Sequence, residues 1–501
     1  MPWDSLLQGL RLETSRRGIM GTTRKEHDFL GELEIATDVY YGIQTSRAIE
    51  NFKISGITIS TMPRFIQALG QVKKAAAMAN MELGVLPEDI GNVICQACDR
   101  IIAGEFLDQF PVDVFQGGAG TSCNMNANEV IANIALEIMG HAKGEYQYCH
   151  PNNHVNCSQS TNDVYPTAIR LALYNALTDF MEDMNYLREG FVNKSEEFRY
   201  VVKMGRTQLQ DAVPMTLGME FGAWATTIEE DIRRVAEGRV QISDVNMGAT
   251  AIGTGINTPQ GYAELVTKHL AEVSQLPIFM AENYIEATFD TGAFVQISGL
   301  LKRFVVKLSK ICNDLRLLSS GPRCGLNEIN LPPRQPGSSI MPGKVNPVIP
   351  EVVNQICFDV IGKDVTITMA AEAGQLELNV MEPVIAFSLF SALSRLGAAC
   401  HTLRDLCVDG ITANVERCYE LMKNSIGIVT ALAPYIGYEN SSAIARKALE
   451  TGGSVYDLVL ESGLVTPEQL NAILSPIRML RPGEDKALMK EIAERLEKMG
   501  R

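Results

Sequence analysis

The sequence predicts a mainly α-helical protein built around a bundle of long helices. Apolar residues recur at helical spacing over long segments, whereas strand-like alternation is scarce. The clearest segment runs over residues 294–315, where the spacings alternate between 3 and 4 as in a heptad seam. Its members are Phe294, Ile297, Leu301, Phe304, Leu308, Ile311 and Leu315.

Two further segments show the same periodicity. Long helices with narrow apolar stripes must bury those stripes against other helices, which predicts a central bundle and favours oligomerisation. A solenoid is excluded because no unit of about 30–50 residues repeats along the chain. The two stripes are Ile169, Leu173, Ala176, Phe180, Met184, Leu187 and Phe191, and then Phe221, Trp224, Ile228, Ile232 and Val235.

The segment near the C-terminus reads as a small helical unit of its own, from about residue 417 onward. Within LVTPEQLNAIL, Thr466 is the expected N-cap and Pro467 the first helical residue. Gln469 follows three residues after the cap, which is the spacing of a capping box.

Charge and composition exclude several classes of partner. The 501 residues contain 44 Lys and Arg against 59 Asp and Glu, a net charge of −15. This charge disfavours nucleic acid and anionic membrane as partners. No run of about 18 apolar residues occurs, so a membrane span is not expected. An anionic substrate would need a locally positive pocket.

The cysteines and the N-terminus together predict a cytoplasmic protein. Eleven cysteines stand at irregular spacings, and the N-terminus lacks the apolar stretch of a secretory signal. The cysteines are therefore expected to be reduced thiols. Cys95 and Cys98 form a CxxC pattern without a second ligand pair, which favours core packing over a zinc site. Residues 1–26 are expected to be a disordered extension.

Four polar stretches rich in hydroxyl and amide side chains each precede a helical pattern: residues 117–130, 158–166, 205–218 and 337–347. A helix N-terminus offers free N–H groups and the positive end of the helix dipole, which suits carboxylate or phosphate. Any one such stretch is explained by ordinary helix capping. Four of them in one bundle, with Lys344 in the most irregular, predict a site for a small polyanion.

The sequence lacks the motifs of nucleotide-binding and metal-binding sites. The Gly-rich stretch lacks the GK[ST] ending of a nucleotide-binding P-loop, and residues 252–261 lack dinucleotide spacing. There is no HExxH motif and no cluster of His with carboxylates at metal spacing, so no metal site is expected. The stretches therefore favour carboxylate recognition and proton abstraction over hydrolysis.

At this point the motifs resemble a known family. GSSIMPGKVNP, GRTQLQDAVP, SQSTND and GGAGTSCNMN together resemble the aspartase/fumarase superfamily, over nearly the whole chain from about residue 28. The resemblance implies an all-α, three-domain fold with a central long-helix bundle, here residues 1–160, 161–416 and 417–501. It also implies a homotetramer whose active sites are each shared by three subunits, and no organic cofactor.

The implied reaction is the reversible deamination of L-aspartate to fumarate and ammonia through an aci-carboxylate intermediate. Ser338 matches the family's general base, on a loop that closes over substrate. The other matching residues would contact the substrate. By position they are Thr121, Ser160, Thr161 and Ser339 for the β-carboxylate, Thr207, Lys344 and Asn346 for the α-carboxylate, and Asn162 with Gln208 for the amino group.

Two alternatives remain open on the sequence. Class II fumarases share the signature, but they typically read GRTHLQDATP and GLGEIS where this chain has Gln208 and GLNEIN. Both differences favour the aspartate-deaminating members, although some of these also have His at the position of Gln208. A structural or binding protein on the same bundle is the second alternative, which the presence of Ser338, Lys344 and Asn346 disfavours. Activation by a divalent cation cannot be read from the sequence.

Overall fold

A computed structural model describes residues 22–475, 478–479 and 484–499. The chain comprises two compact units, and both are mainly helical. The first unit contains residues 22–179, 235–302 and 360–394, and the second contains residues 180–234, 303–359 and the described residues from 395 onward. The prediction of a mainly α-helical protein is confirmed. The three-segment division expected from the resemblance stays a prediction.

The helices are numbered here in chain order over the described residues. They are α1 Ile43–Asn51, α2 Pro63–Glu82, α3 Glu88–Ile102, α4 Thr121–Ile138, α5 Thr161–Glu197, α6 Leu217–Val240, α7 Tyr262–Ser274, α8 Glu286–Phe289, α9 Gly292–Leu318, α10 Val348–Glu372, α11 Glu382–Leu406, α12 Val415–Asn424, α13 Val429–Ile436, α14 Tyr438–Thr451, α15 Val455–Glu461, α16 Pro467–Ile473 and α17 Lys486–Lys498.

The three predicted apolar stripes lie on α5, α6 and α9. Every member of the stripe on α9 is at most 1 % exposed. The stripes on α5 and α6 are also buried, except that Ala176 and Ile232 are half-buried. Heptad spacing thus correctly identified the buried face of each long helix, because a narrow stripe is stable only against other helices.

Helix α11 is the one described helix long and apolar enough to cross a membrane by length and composition. The apolar stretch Glu382–Gly410 is 67 % buried inside the protein over its most apolar window. Burial to that extent is what a core helix of a globular protein shows.

Within the described ranges, strands form four two-stranded sheets, and three of the four pairs are antiparallel. The first pair includes residues 23–26, which the sequence assigned to a disordered extension, so that assignment was wrong for them. Residues 1–21 of the extension lie outside the described residues. The pairs are β1 Thr23–Asp28 with β2 Gly31–Ala36, β3 Val202–Thr207 with β4 Gln210–Thr216, β5 Asp244–Val245 with β6 Phe279–Met280, and β7 Ile329–Asn330 with β8 Thr412–Ala413.

The predicted capping box near the C-terminus is present. The Thr466 side chain accepts from the Gln469 backbone N–H, and the Gln469 side chain accepts from the Thr466 N–H. The apolar core around these C-terminal helices also includes Val202 and Met204 of β3. The strand that ends at Thr207 is therefore anchored in this core.

Candidate active site

The Gly-rich stretch of the first unit ends in helix α4. The helix begins at Thr121 itself, so Thr121 and Ser122 belong to its first turn rather than to the preceding loop. The Thr121 hydroxyl donates to the Gly118 carbonyl at 2.7 Å. Gly120 precedes the helix with a φ of 90° and has no side chain to cap it, whereas the Cys123 N–H in the first turn donates to the Gln116 side-chain oxygen at 3.2 Å. The first N–H groups of α4 therefore lack a side-chain acceptor from the residue before the helix.

Gly120 occupies a position that no larger residue fits. A Cβ at this position would lie 2.3 Å from the Tyr165 ring, and φ is in the left-handed region. Gly120→Ala is expected to lower the free energy of unfolding by roughly 2–4 kcal/mol, because backbone strain adds to overpacking. Denaturant unfolding measures the loss.

Gly140 offers a matched control at the other end of the same helix. Its φ is 82°, but a Cβ there would meet nothing within 4 Å. Gly140→Ala should therefore cost only the backbone strain, about 1–2 kcal/mol. Equal losses in the two variants would show that the Tyr165 contact does not matter.

The second polar stretch of the first unit places its three candidate residues at the start of α5. The Ser160 hydroxyl accepts from the Asn162 N–H at 3.2 Å. The Asn162 amide donates to the Ala251 carbonyl at 2.8 Å. Thr161 accepts from the Asn124 side chain of α4 at 3.1 Å. The starts of α4 and α5 are therefore directly connected.

Asp163 supports this turn, although the sequence analysis did not select it. Its carboxylate accepts from the N–H groups of Ser160, Gly248 and Thr250 at 3.0, 3.2 and 3.0 Å. Burial raises the pKa of Asp163 to about 6, and the three backbone hydrogen bonds oppose this shift. The signal was present in the sequence, because Ser160 and Asp163 have the S-x-x-D spacing of a capping box.

Thr207 and Gln208 lie in the second unit, on a β-hairpin. The sequence analysis placed them in a loop at a helix start; this was wrong, since β3 ends at Thr207, β4 follows and α6 begins only at Leu217. Gln208 and Leu209 form the turn with φ values of 52° and 61°. Two left-handed residues match a type I′ hairpin turn. Both candidate side chains are exposed at the tip.

A buried group of charges anchors the base of this hairpin. Glu328 is fully buried and pairs with Lys203 at 2.9 Å and with Arg206 at 2.7 Å. Neither carboxylate oxygen of Glu328 meets hydrogen-bond geometry, so the attraction is one of charge rather than of aligned hydrogen bonds. Arg206 immediately precedes Thr207, so this ion pair fixes the strand from which Thr207 and Gln208 project.

The signature stretch forms an irregular loop before α10, as its glycines and prolines predicted. The loop is closed at its base, where the Gly337 N–H donates to the Lys344 carbonyl and the Asn346 amide donates to the Gly337 carbonyl, both at 2.7 Å. Asn346 therefore has a structural contact in this conformation. A Cβ on Gly337 would lie 2.6 Å from the Asn346 nitrogen, so the closure also requires glycine there.

Ser338 is half-buried and its hydroxyl oxygen faces the backbone of its own loop. The oxygen accepts from the N–H groups of Ile340 at 3.2 Å and Met341 at 2.9 Å. Two N–H donors aimed at one oxygen stabilise negative charge on it. This is the arrangement that a serine acting as an alkoxide base would need.

Ser338 and Lys344 line one pocket of about 450 Å³ on this loop. Ser339 and Lys344 are exposed. A cation on the wall of the pocket supplies the local positive charge that an acidic protein needs in order to hold an anion.

The structure thus brings the candidate residues into three clusters: the starts of α4 and α5, the tip of the β3–β4 hairpin, and the signature loop. Over the described residues, no hydrogen bond joins the hairpin tip to the signature loop, and no group of three His, Cys, Asp or Glu side chains is arranged to hold a metal ion.

The long-helix fold and the serine-bearing loop define a class of lyase. Residues 31–362 match the family model described as lyase, and residues 428–481 match the model described as fumarase C C-terminus. The chain belongs to this lyase family, the aspartase/fumarase superfamily.

Three known proteins show what this chain is similar to. An aspartate ammonia-lyase of Helicobacter pylori is 59 % identical over 459 residues, which are 92 % of this chain and 98 % of the relative. The solved structure titled fumarate lyase:delta crystallin from Brucella melitensis, bound to cobalt, is 54 % identical with a TM-score of 0.89, over 92 % of this chain and 100 % of that one. A class II fumarase from Schistosoma mansoni has a TM-score of 0.86 at 33 % identity, with the same coverage.

Proposed function

We propose that this protein is an aspartate ammonia-lyase, which converts L-aspartate reversibly to fumarate and ammonia. The observation that supports this most is the 59 % identity to an aspartate ammonia-lyase across 92 % of the chain. The similarity to a class II fumarase is weaker, at 33 %. Gln208, where fumarases typically have His, points the same way.

The proposed first step is removal of a proton from the carbon next to the β-carboxylate. The C–H bond breaks, its proton goes to the Ser338 oxygen, and its electron pair moves into the carboxylate to give an aci-carboxylate dianion. The N–H groups of Ile340 and Met341 lie 3.2 and 2.9 Å from that oxygen and would stabilise the alkoxide that acts as base.

The second step releases ammonia. The C–N bond breaks, its electrons leave with the nitrogen, and the aci-carboxylate collapses to fumarate. Because the dianion is the high-energy species, most of the catalysis must come from groups that bind the extra charge better than the ground state. In this proposal Thr121, Ser160, Thr161 and Ser339 hold the β-carboxylate.

The remaining candidate residues hold the other end of the substrate. Thr207, Lys344 and Asn346 would bind the α-carboxylate, and Asn162 with Gln208 the amino group. The Asn346 amide uses one of its two protons in the bond to the Gly337 carbonyl, and the second would donate to the α-carboxylate. Closure of a loop over substrate would both deliver the base and exclude water.

A direct assay tests the proposal. Purified protein is incubated separately with L-aspartate and L-malate, and fumarate is followed by ultraviolet absorbance. Fumarate from L-aspartate is expected. Fumarate from L-malate alone would make the protein a fumarase, and none from either substrate would favour a non-catalytic role.

A homotetramer in the cytoplasm, with each site shared by three subunits, is part of the proposal. An exposed apolar stripe along α10 supports assembly. Phe358, Val365 and Met369 are 60 %, 59 % and 62 % exposed, and together with Gly362 they follow one another at spacings of 4, 3 and 4. Such an exposed seam is typical of a helix that packs on further helices. In an assembly of this kind, clusters from different copies form one site.

Replacing Phe358 by Glu is expected to break the assembly, because it places a charge in an apolar seam. Light scattering after gel filtration should show a shift from tetramer towards smaller species, with loss of activity. Leu449→Glu on α14 is a matched control, since Leu449 is 72 % exposed and lies outside the seam. An unchanged mass for Phe358→Glu would exclude α10 as an interface.

A further inference from the structure

Lys73 is a buried cation beside the candidate site that the proposed mechanism does not use. It lies on α2 and is 0 % exposed. Its ammonium donates three hydrogen bonds, to the side-chain oxygens of Asn124 at 2.7 Å, Asn156 at 2.9 Å and Gln159 at 2.9 Å. An ammonium has three protons, so all of its donors are used.

The ammonium fixes the orientation of the Asn124 amide. Because an ammonium only donates, the Asn124 atom that faces Lys73 must be the oxygen Oδ1. The nitrogen Nδ2 therefore faces the other way, where it donates to Thr161 Oγ1 and to Asn156 Oδ1, both at 3.1 Å. Lys73 thus determines, through the orientation of the Asn124 amide, that Thr161 accepts this hydrogen bond.

The consequence for Thr161 is that its oxygen acts as an acceptor within the protein. A hydroxyl has one proton, and among the described residues no acceptor takes the proton of Thr161. Thr161 is the first residue of α5 and is 8 % exposed. Its proton is therefore available for an anion bound at the start of this helix.

We propose that Lys73 is a positioning residue: through Asn124 it makes the Thr161 hydroxyl a hydrogen-bond donor towards the substrate carboxylate. The inference rests on the proposed function, in which Thr161 holds the β-carboxylate. Burial lowers the pKa of Lys73 to about 7, whereas the negative charge of Asp163 acts in the opposite direction. Burying a charged lysine destabilises the fold. The positioning of the Thr161 hydroxyl would explain why a lysine occupies this site.

Asn124→Asp tests the direction of the bond with little change of shape. A carboxylate can only accept, and it forms an ion pair with Lys73, so Thr161 must now donate to residue 124. The Kd of fumarate, measured by calorimetry, and kcat/KM for L-aspartate are both expected to worsen about 10- to 100-fold, the value of a hydrogen bond to a charged group. Lys73→Met should have a similar effect but should also lower the unfolding temperature.

A double-mutant cycle separates this role from a purely structural one. Thr161→Val removes the hydroxyl that Lys73 is proposed to direct. In the Thr161→Val background, Asn124→Asp and Lys73→Met should each change the fumarate Kd by no more than about 3-fold. Effects that multiply with that of Thr161→Val would show that Lys73 does not act through Thr161.

Asn80→Asp is the control for an added buried charge. Asn80 lies two turns from Lys73 on α2, accepts from the Ser158 hydroxyl at 2.7 Å and donates to the Cys157 carbonyl at 2.9 Å. Asn80 has no hydrogen bond to Thr161, so the fumarate Kd of the Asn80→Asp variant should stay within about 3-fold of that of the unmodified protein. A loss as large as that of Asn124→Asp would overturn the inference, because charge alone would explain it.

The two proposals fail in different ways. If the unmodified protein binds fumarate but does not deaminate L-aspartate, the proposed reaction is wrong, and the Kd cycle still decides the role of Lys73. If L-aspartate is deaminated but the cycle is multiplicative, only the inference on Lys73 is wrong. A protein that binds no fumarate would overturn both.

Discussion

Replacing Ser338 by Ala is expected to lower kcat for L-aspartate roughly 10²- to 10⁴-fold, which is the usual contribution of a positioned general base. The substrate should still bind, because the carboxylate contacts proposed above come from other residues. The Kd of fumarate should therefore stay within about 3-fold of its original value, as expected for an interaction needed mainly in the transition state. Steady-state kinetics and calorimetry measure the two quantities.

Ser274→Ala provides the matched serine control. The Ser274 hydroxyl lies on α7, donates to the Leu270 carbonyl of the same helix and accepts from the Leu276 N–H. Its loss should leave kcat unchanged. Near-full activity of Ser338→Ala would rule out Ser338 as the base. Equal losses of kcat and of fumarate affinity would instead indicate that the loop itself had changed.

Replacing Glu328 by Ala is expected to lower the free energy of unfolding by about 3–5 kcal/mol, because removing one member of a buried ion pair leaves charge uncompensated. Lys203 is 2 % exposed and retains a second partner in Glu220, which favours the lower end of this range. Arg206 would lose its ion-pair partner at the base of the β3–β4 hairpin. The KM for L-aspartate should therefore rise as well. Urea unfolding and steady-state kinetics measure these effects.

Glu420→Ala shows what an exposed ion pair contributes. Glu420 lies 3.1 Å from Arg417, and its side chain is 61 % exposed. Its loss should change the free energy of unfolding by less than about 1 kcal/mol. Both variants must be compared at one protein concentration, because the stability of the proposed oligomer would depend on it. Similar losses in the two variants would show that burial does not strengthen the Glu328 pair.

The long helices could be predicted from the sequence because their apolar stripes are narrow and continuous. The hairpin that bears Thr207 and Gln208 could not. Its turn is Gln208–Leu209, whereas the usual signal for a type I′ turn is Asn-Gly or Asp-Gly. Pro214 within β4 also argues against a strand in a sequence reading. The hairpin is held instead by distant residues such as Glu328.

The sequence placed Ser160 and Thr161 correctly at the start of a helix, but the groups that support this turn were missed. Lys73 stands in the buried stripe of α2 between Leu69 and Ala76, where an apolar residue is expected. A charge on the apolar face of a helix is a detectable signal, but its partners Asn156 and Gln159 lie more than 80 residues away. Such partners become visible only when the chain is folded.

The self-closed base of the signature loop has a thermodynamic consequence. Ordering a free segment costs roughly 1–2 kcal/mol per residue in backbone entropy. Residues 337–346 already hold one another through the Gly337–Lys344 and Asn346–Gly337 hydrogen bonds. A loop that closes as one preformed unit avoids most of that entropy loss. The entropy cost of ligand binding would then come mainly from fixing a few backbone torsions on either side of the loop.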